Sequence, residues 1–138
     1  MIALIAHDKK KSDMVNFVQT HMEYFWKTRT IATASTGELL NRELNLNVER
    51  VAHGPEGGEL AIAARVESGE VHAVIFFRDP LTAQPHEPDV TALIRLSDVY
   101  NVPLATNMGM AEVLVQGLKE GFLAWRDLIE GQREKNHE

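Results

Sequence analysis

Polar and small residues that can perform chemistry gather in short segments directly after apolar runs of this chain. Their side chains offer acid–base groups, a cation and hydrogen-bond donors, which together suit a small anion and proton transfer on it. The repetition of this pattern along the chain argues against chance. In chain order the segments contain His7, Asp8 and Lys11; Thr33, Ala34, Ser35, Thr36 and Gly37; His53, Gly54, Gly57, Gly58 and Glu59; Asp79, His86 and Asp89; and Thr106 and Asn107.

The segment from Thr33 to Gly37 has two interpretations. It brings hydroxyl and small residues to a predicted helix start, where free backbone N–H groups and the helix dipole favour an anion. Ser35 followed by Glu38 is also a capping box, which predicts an ordinary helix start and is the simpler interpretation of the segment alone. Lys11 favours the anion, because a neighbouring ammonium group would add charge, although a run of lysines is also typical of a solvated surface.

The glycine-rich segment from Gly54 to Gly58 precedes a second predicted helix. Glycine lets a backbone approach a ligand closely, although such turns are also common without any ligand. Glu59 at the helix start is favoured there by the dipole, whether or not it acts in catalysis. No Gly-Lys-Ser/Thr ends the segment, and it does not follow the first strand, so a P-loop and a dinucleotide fingerprint are both disfavoured.

The segment from Asp79 to Asp89 holds three prolines around His86. A stiff loop suits a positioned acid–base histidine, because catalytic groups held loosely lose rate. A rigid crossover with an exposed histidine is the alternative. Three histidines and one aspartate could together ligate zinc, but no close-spaced histidine pair favours a metal. These four residues are His7, Asp8, His53 and His86.

Apolar runs and helical periodicities alternate along the chain and predict the elements that position these residues. The predicted strands are Ile2–Ala6, Thr30–Thr33, Val48–Ala52, Ala73–Phe77 and Val102–Thr106. Helices are predicted after each strand, the first capped by Ser12 or Asp13, and the later ones at Glu59–Val66, Asp89–Tyr100 and Gly109–Lys119. This order predicts an α/β fold, a three-layer α/β/α sandwich around a five-stranded parallel doubly wound sheet. Such sheets bind ligands outside the carboxyl ends of their strands.

Length and composition limit the number of domains, the partners and the location that the chain can have. The 138 residues fit one domain, 1–138, in which 122–138 are expected to form a C-terminal helix and a frayed tail. A net charge of −6 disfavours nucleic acid as a partner, and the absence of cysteine excludes disulfides. No apolar run is long enough for a membrane span, and the first residues lack the features of a secretory signal. A cytoplasmic location is therefore expected.

Several of these motifs together resemble the methylglyoxal synthase family over nearly the whole chain. The proline-bearing segments in the loop after the fourth predicted strand are the most specific of them. The motifs are Ala6-His7-Asp8 with Lys11, Ala32-Thr33-Ala34-Ser35-Thr36-Gly37, Gly54-Pro55-Glu56-Gly57-Gly58, Phe76-Phe77-Arg78-Asp79-Pro80-Leu81, Pro85-His86-Glu87-Pro88-Asp89-Val90 and Val102-Pro103-Leu104-Ala105-Thr106-Asn107.

The resemblance implies conversion of dihydroxyacetone phosphate to methylglyoxal and inorganic phosphate, with no metal or organic cofactor, by a homohexamer. It implies that Glu59 is the carboxylate base and that His86 polarises the carbonyl and moves protons between the substrate oxygens. His7 matches a substrate contact, and Asp8, Asp79 and Asp89 match acids that line or orient the site. The positions implied for phosphate binding are Lys11, Thr33, Ala34, Ser35, Thr36, His53 and Gly54.

The chain also departs from the family pattern at the site. The family's base is an aspartate, whereas this chain has Glu59, whose extra methylene moves the carboxylate by about one bond length. His53 stands where serine is usual, and Ala34 stands where glycine is usual. A C-terminal arginine of the family reaches a neighbouring site, and Arg126 and Arg133 are the candidates here. A non-catalytic phosphate-binding domain, and a lyase or isomerase for a related phosphorylated ketone, remain as alternatives.

Overall fold

A five-stranded parallel sheet forms the centre of the computed structural model, which describes residues 1–51 and 58–121. The strands are β1 (Ile2–Ala6), β2 (Thr30–Ala32), β3 (Glu49–Arg50), β4 (Ala73–Phe77) and β5 (Leu104–Ala105). Their order across the sheet is β3-β2-β1-β4-β5, and every neighbouring pair is parallel. The central strand β1 is buried along its whole length, as its continuous apolar sequence predicts.

Helices cover both faces of this sheet, which confirms the predicted three-layer α/β fold. They are α1 (Lys11–Thr20), α2 (Met22–Trp26), α3 (Ala34–Leu44), α4 (Glu59–Glu67), α5 (Glu87–Val99) and α6 (Met108–Lys119), with a 3-10 turn at Asp8–Lys10. Leu4 packs on one face with residues of α1, α2, α3 and α6. Ile5 packs on the other face with residues of α4 and α5. Successive strand residues point to opposite faces, so one strand serves both cores.

The helix starts differ from the predictions in ways that depend on local contacts. The first helix begins at Lys11, without a side-chain cap, so the predicted cap at Ser12 or Asp13 is wrong. This helix also ends at Thr20, and α2 begins as a separate element at Met22, with His21 between them. The predicted capping box is wrong too, because α3 begins at Ala34 with Thr33 as its N-cap. The hydroxyls of Thr33 and Thr36 at this helix start bond to each other and to the backbone of Ala6.

Further elements have shifted bounds: β2 ends at Ala32 rather than Thr33, and β5 spans Leu104–Ala105 rather than Val102–Thr106. The helix α5 begins at Glu87 rather than Asp89, and Pro88 lies in its first turn, where a missing N–H is harmless. The edge strand β3 is only two residues long, and both are exposed. The predictions for Ala52, His53, Gly54 and 122–138, including Arg126 and Arg133, fall outside the described residues. A single domain over 1–138 therefore stays a prediction.

Among the helices that the structure describes, none is both long and apolar enough to cross a membrane.

Phe17 offers a test of the packing beneath α1. Its ring is buried and lies with its centroid 6.0 Å from that of Phe25 and 5.6 Å from that of Phe77. We expect Phe17→Ala to lower the free energy of unfolding by about 3–5 kcal/mol, because it leaves a cavity in close-packed surroundings. Urea unfolding followed by circular dichroism measures this loss. The exposed Gln19 of the same helix is the control, and Gln19→Ala should shift stability by less than about 0.5 kcal/mol.

Candidate active site

The hydroxyl of Thr36 fastens the start of α3 to the end of β1. Thr36 is fully buried, and its Oγ1 accepts a hydrogen bond from the Ala6 N–H at 3.3 Å. It donates to the Ala6 carbonyl at 3.5 Å and accepts from the Thr33 hydroxyl at 3.2 Å. The N-cap residue Thr33 donates its hydroxyl proton within this network and makes no side-chain cap hydrogen bond. The backbone N–H is then the part of Thr36 that can serve a bound anion.

The first turn of α3 retains its donors for a ligand. Its N-cap residue Thr33 makes no side-chain cap hydrogen bond, and the first intrahelical bond runs from the Gly37 N–H to the Thr33 carbonyl at 2.8 Å. The N–H groups of Ala34, Ser35 and Thr36 precede that bond and have no intrahelical acceptor. Together with the helix dipole they form a cradle of donors that favours an anion.

Lys11 brings a positive charge to the same strand end. Its Nζ donates to the Ala6 carbonyl at 3.2 Å and to Asp8 Oδ1 at 2.8 Å. The lysine side chain is 18% exposed, whereas that of Asp8 is 99% exposed. The hydrogen bond from Lys11 lowers the pKa of Asp8, with its positive charge as the next cause. Asp8 thus holds the Lys11 ammonium from the solvent side. A catalytic role for Asp8 stays a prediction.

The start of α4 lies against the start of α3 because Gly58 has no side chain. A Cβ at Gly58 would come within 2.6 Å of Thr33 Cγ2 and 2.8 Å of Val51 Cγ2. The next residue, Glu59, is only 7% exposed. Its Oε2 is buried and has no hydrogen-bond partner among the described residues. Burying a carboxylate oxygen that has no partner among the described residues is unfavourable, and a donor on a bound ligand would offset that cost.

His7 follows β1 and is held by the loop after β4. Its Nδ1 accepts a hydrogen bond from the backbone N–H of Asp79 at 2.8 Å, and its ring meets that of Phe76 edge-on at 5.1 Å. Burial lowers the pKa of His7, and the charges of Glu59 and Glu87 partly oppose that change. A backbone N–H can only donate, so Nδ1 carries the lone pair and the proton lies on Nε2. His7 is therefore a neutral donor.

His86 lies at the N-cap of α5 and is half-buried, as is Asp89 in the first turn of that helix. The Asp89 N–H donates to the His86 carbonyl at 3.0 Å. An ion pair between Arg78 Nη2 and Glu87 Oε1, at 3.3 Å, links this helix start to the loop after β4. In the part of the chain that the structure describes, no hydrogen bond joins the His86 ring to Glu59 or His7, and the role of His86 stays a prediction.

One group near the site was not identified from the sequence, and another has a role that differs from the expected one. The backbone N–H of Asp79 holds His7, and no side-chain pattern could have indicated a main-chain donor. Asn107, grouped above with possible chemistry, caps α6 by accepting from the Met110 N–H at 3.0 Å, and the helix begins one residue before the predicted start. An Asn before an apolar periodic run is a cap signal that could have indicated the role of Asn107.

No cluster of three metal-ligating side chains occurs within residues 1–51 and 58–121.

Comparison with known proteins agrees with this architecture. Residues 13–106 match the family model described as the MGS-like domain. The chain is 54% identical to methylglyoxal synthase of Geobacillus sp. (strain WCH70) over 132 residues, covering 96% of this chain and 94% of the relative. It is 53% identical to methylglyoxal synthase of Bacillus subtilis (strain 168) over 131 residues, covering 95% of this chain and 96% of the relative.

A solved structure shows the same fold. The crystal structure of methylglyoxal synthase from Elizabethkingia anophelis NUHP1 superposes with a TM-score of 0.76 at 43% identity, covering 82% of this chain and 74% of that chain. The fold and the motif-bearing strand ends therefore define an MGS-like α/β protein. Within that class, the chain belongs to the methylglyoxal synthase family.

The contact at Gly58 predicts a steric effect on the candidate site. We expect Gly58→Ala to lower the free energy of unfolding by about 1–3 kcal/mol, because the added Cβ would overlap two side chains that pack between helices and sheet. Gly109→Ala is the matched control, since a Cβ there would meet only Asn107 Oδ1, at 3.4 Å. Parallel urea titrations compare the two variants. Equal stability of both would contradict the close approach of α3 and α4.

Proposed function

We propose that this protein is a carbon–oxygen lyase that converts dihydroxyacetone phosphate to methylglyoxal and inorganic phosphate through an enediolate. The observation that carries the proposal is the buried carboxylate of Glu59, whose Oε2 has no partner among the described residues. It lies at the start of α4, next to Gly58, which contacts the donor-bearing start of α3. Close similarity over nearly the full chain to proteins named methylglyoxal synthase supports this reaction.

The phosphate group of the substrate is proposed to bind in the first turn of α3. The N–H groups of Ala34, Ser35 and Thr36 would donate to its oxygens, and Lys11 would supply the charge. Thr33 borders this turn, and the family resemblance adds His53 and Gly54, which lie outside the described residues. Lys11 reaches the site with its ammonium already hydrogen-bonded to Ala6, so little side-chain ordering remains for binding.

Proton transfer is the proposed task of Glu59. Its carboxylate would take a proton from the hydroxymethyl carbon beside the substrate carbonyl, and the C–H electron pair would form the double bond of the enediolate. Hydrogen-bond donors would stabilise the negative charge that develops on the carbonyl oxygen. The neutral Nε2–H of His7 is suited to this, and the resemblance assigns the same task to His86. A neutral imidazole donates without protonating the enediolate irreversibly.

Elimination would complete the reaction. The former hydroxyl oxygen becomes the aldehyde oxygen and releases its proton to a neighbouring base, for which His86 and Asp89 are proposed. The double bond moves to the carbon that bore the phosphate, and phosphate leaves with the electron pair of the broken C–O bond. The resulting enolate takes up a proton at its terminal carbon to give methylglyoxal. The groups involved are side chains and backbone of this chain, and no step requires an organic cofactor.

Assembly and location are proposed from the family resemblance. A homohexamer in the cytoplasm is proposed, with a C-terminal arginine, Arg126 or Arg133, reaching a neighbouring site. Multi-angle light scattering gives the number of subunits. Fractionation of producing cells gives the location.

Glu59→Gln tests the proposed base. The substitution keeps the shape of the side chain but removes its basicity, so kcat should fall by about 10²–10⁴-fold. Binding of inorganic phosphate, measured by calorimetry, should persist. Glu67→Gln at the exposed end of the same helix is the control and should retain full activity. Release of methylglyoxal and phosphate from dihydroxyacetone phosphate measures the turnover.

The alternatives give different outcomes in the same assay. Turnover by Glu59→Gln at the wild-type level would remove Glu59 from the mechanism. Phosphate binding by the wild-type protein without turnover of dihydroxyacetone phosphate would instead support a non-catalytic phosphate-binding domain. Turnover of a different phosphorylated ketone alone would change the substrate but keep the reaction class.

Lys11→Met tests the proposed phosphate site. Loss of a charge-assisted hydrogen bond should weaken phosphate binding by roughly 10–100-fold, since such bonds contribute about 1.5–3 kcal/mol. Inorganic phosphate, as a product, should compete with the substrate, and its inhibition constant should rise in the same proportion. Lys27→Met, at an exposed lysine after α2, is the control. An unchanged phosphate affinity in Lys11→Met would contradict the assignment.

A further inference from the structure

The backbone of the loop after β4 holds His7 in place by hydrogen bonds. β1 and β4 are in register, with Ala6 opposite Phe77, and the His7 N–H donates to the Phe77 carbonyl at 3.1 Å. Two residues further on, the Asp79 N–H donates to His7 Nδ1 at 2.8 Å. Both contacts come from one short segment, so the position of the His7 ring depends on the conformation of the chain at Asp79.

The carboxylate of Asp79 sets that conformation. Its Oδ1 accepts a hydrogen bond from the Leu81 N–H at 3.1 Å, which closes an Asx turn around Pro80. A hydrogen bond with the Thr82 side chain is the main cause of the lowered pKa of Asp79, and Lys9 Nζ donates to the Thr82 hydroxyl at 3.2 Å. The acceptor capacity of this carboxylate is therefore directed into its own loop.

We infer that Asp79 is a positioning residue for His7: its carboxylate closes the turn that aims the Asp79 N–H at His7 Nδ1, which fixes His7 as an Nε2–H donor. This inference deepens the proposed function and rests on it, since the donor is expected to serve the oxyanion of the enediolate. The family resemblance placed Asp79 only among acids that line or orient the site. The geometry assigns it a specific partner and a specific atom.

The group that bonds to His7 Nδ1 affects whether the ring is neutral or protonated. A carboxylate on Nδ1 would favour the imidazolium ion, whereas a backbone N–H opposes it, because protonated Nδ1 and the N–H would both be donors. Burial acts in the same direction, and the charges facing the ring are Glu59, Glu87 and Asp79, which raise the pKa, and Arg78, which lowers it. Asp8 is also close enough to be affected by a charged His7. The ring is thus held as a neutral donor.

Asp79→Asn and Asp79→Ala separate positioning from acid–base chemistry. Asparagine keeps an oxygen for the Leu81 N–H but cannot exchange a proton, whereas alanine removes the acceptor. We expect Asp79→Asn to keep kcat near the wild-type value and Asp79→Ala to lower it by on the order of a hundredfold, because the donor moves. Asp98→Ala, at an exposed position near the end of α5, is the control. An equal loss of activity in both Asp79 variants would overturn the inference.

Nitrogen-15 NMR of the His7 ring gives a readout that needs no substrate. Wild type and Asp79→Asn should both show an unprotonated Nδ1 and a protonated Nε2, while Asp79→Ala should show a mixture of tautomers. The pKa of His7 should lie below its ordinary value of 6.5 in the wild type, so the neutral ring and its Nδ1 acceptor are lost only as the pH falls through that lower range. An unchanged tautomer in Asp79→Ala would overturn the inference even if the protein proved inactive toward dihydroxyacetone phosphate. Failure of the proposed function is therefore distinguishable from failure of the inference about Asp79.

Discussion

The backbone of Ala6, at the carboxyl end of the central strand, makes the hydrogen bonds on which the candidate site depends. Thr36 bonds to both its N–H and its carbonyl, and Lys11 bonds to the same carbonyl. The backbone of this one residue thus fixes the start of α3 and the Lys11 ammonium relative to the sheet. The next residue, His7, bonds to the β4 side of the sheet, which extends the same junction to the loop that contains Asp79.

The start of α4 illustrates a conflict between stability and function. The dipole of a helix favours a carboxylate in its first turn, yet burial of Oε2 without a partner among the described residues opposes it. The missing side chain of Gly58 lets the start of α4, and so the backbone that carries Glu59, lie close to Thr33 at the start of α3. A protein selected for stability alone would place a hydrogen-bonded or apolar side chain at Glu59. A base that must accept a proton from a bound ligand needs the free oxygen instead.

The sequence was sufficient for the elements whose pattern is local. The bounds of β1 and β4 match their apolar runs, because strands buried on both faces have continuous apolar sequences that end sharply at polar residues. The capping box failed because α3 begins at Ala34, which puts Ser35 inside the first turn. The hydrogen bonds between Thr36 and Ala6 of β1 join residues far apart in sequence, so no local pattern indicates them. The contact with His7 was also beyond prediction, since its donor is a backbone N–H, which any residue except proline would supply at the position of Asp79.

The same network bears on how an enediolate would be directed toward elimination rather than isomerisation. Elimination needs the C–O bond to phosphate to stand out of the plane of the enediolate, so the phosphate and the base must be fixed relative to each other. The proposed phosphate donors belong to α3 and the proposed base to α4, two helices that meet at Gly58 and Thr33. Thr36 ties α3 to the rigid centre of the sheet, and Thr33 bonds to Thr36. The torsion angle at the scissile bond would then be set by contacts between helix starts, not by any single catalytic side chain, and a change at either start would alter the fate of the intermediate as well as the rate of its formation.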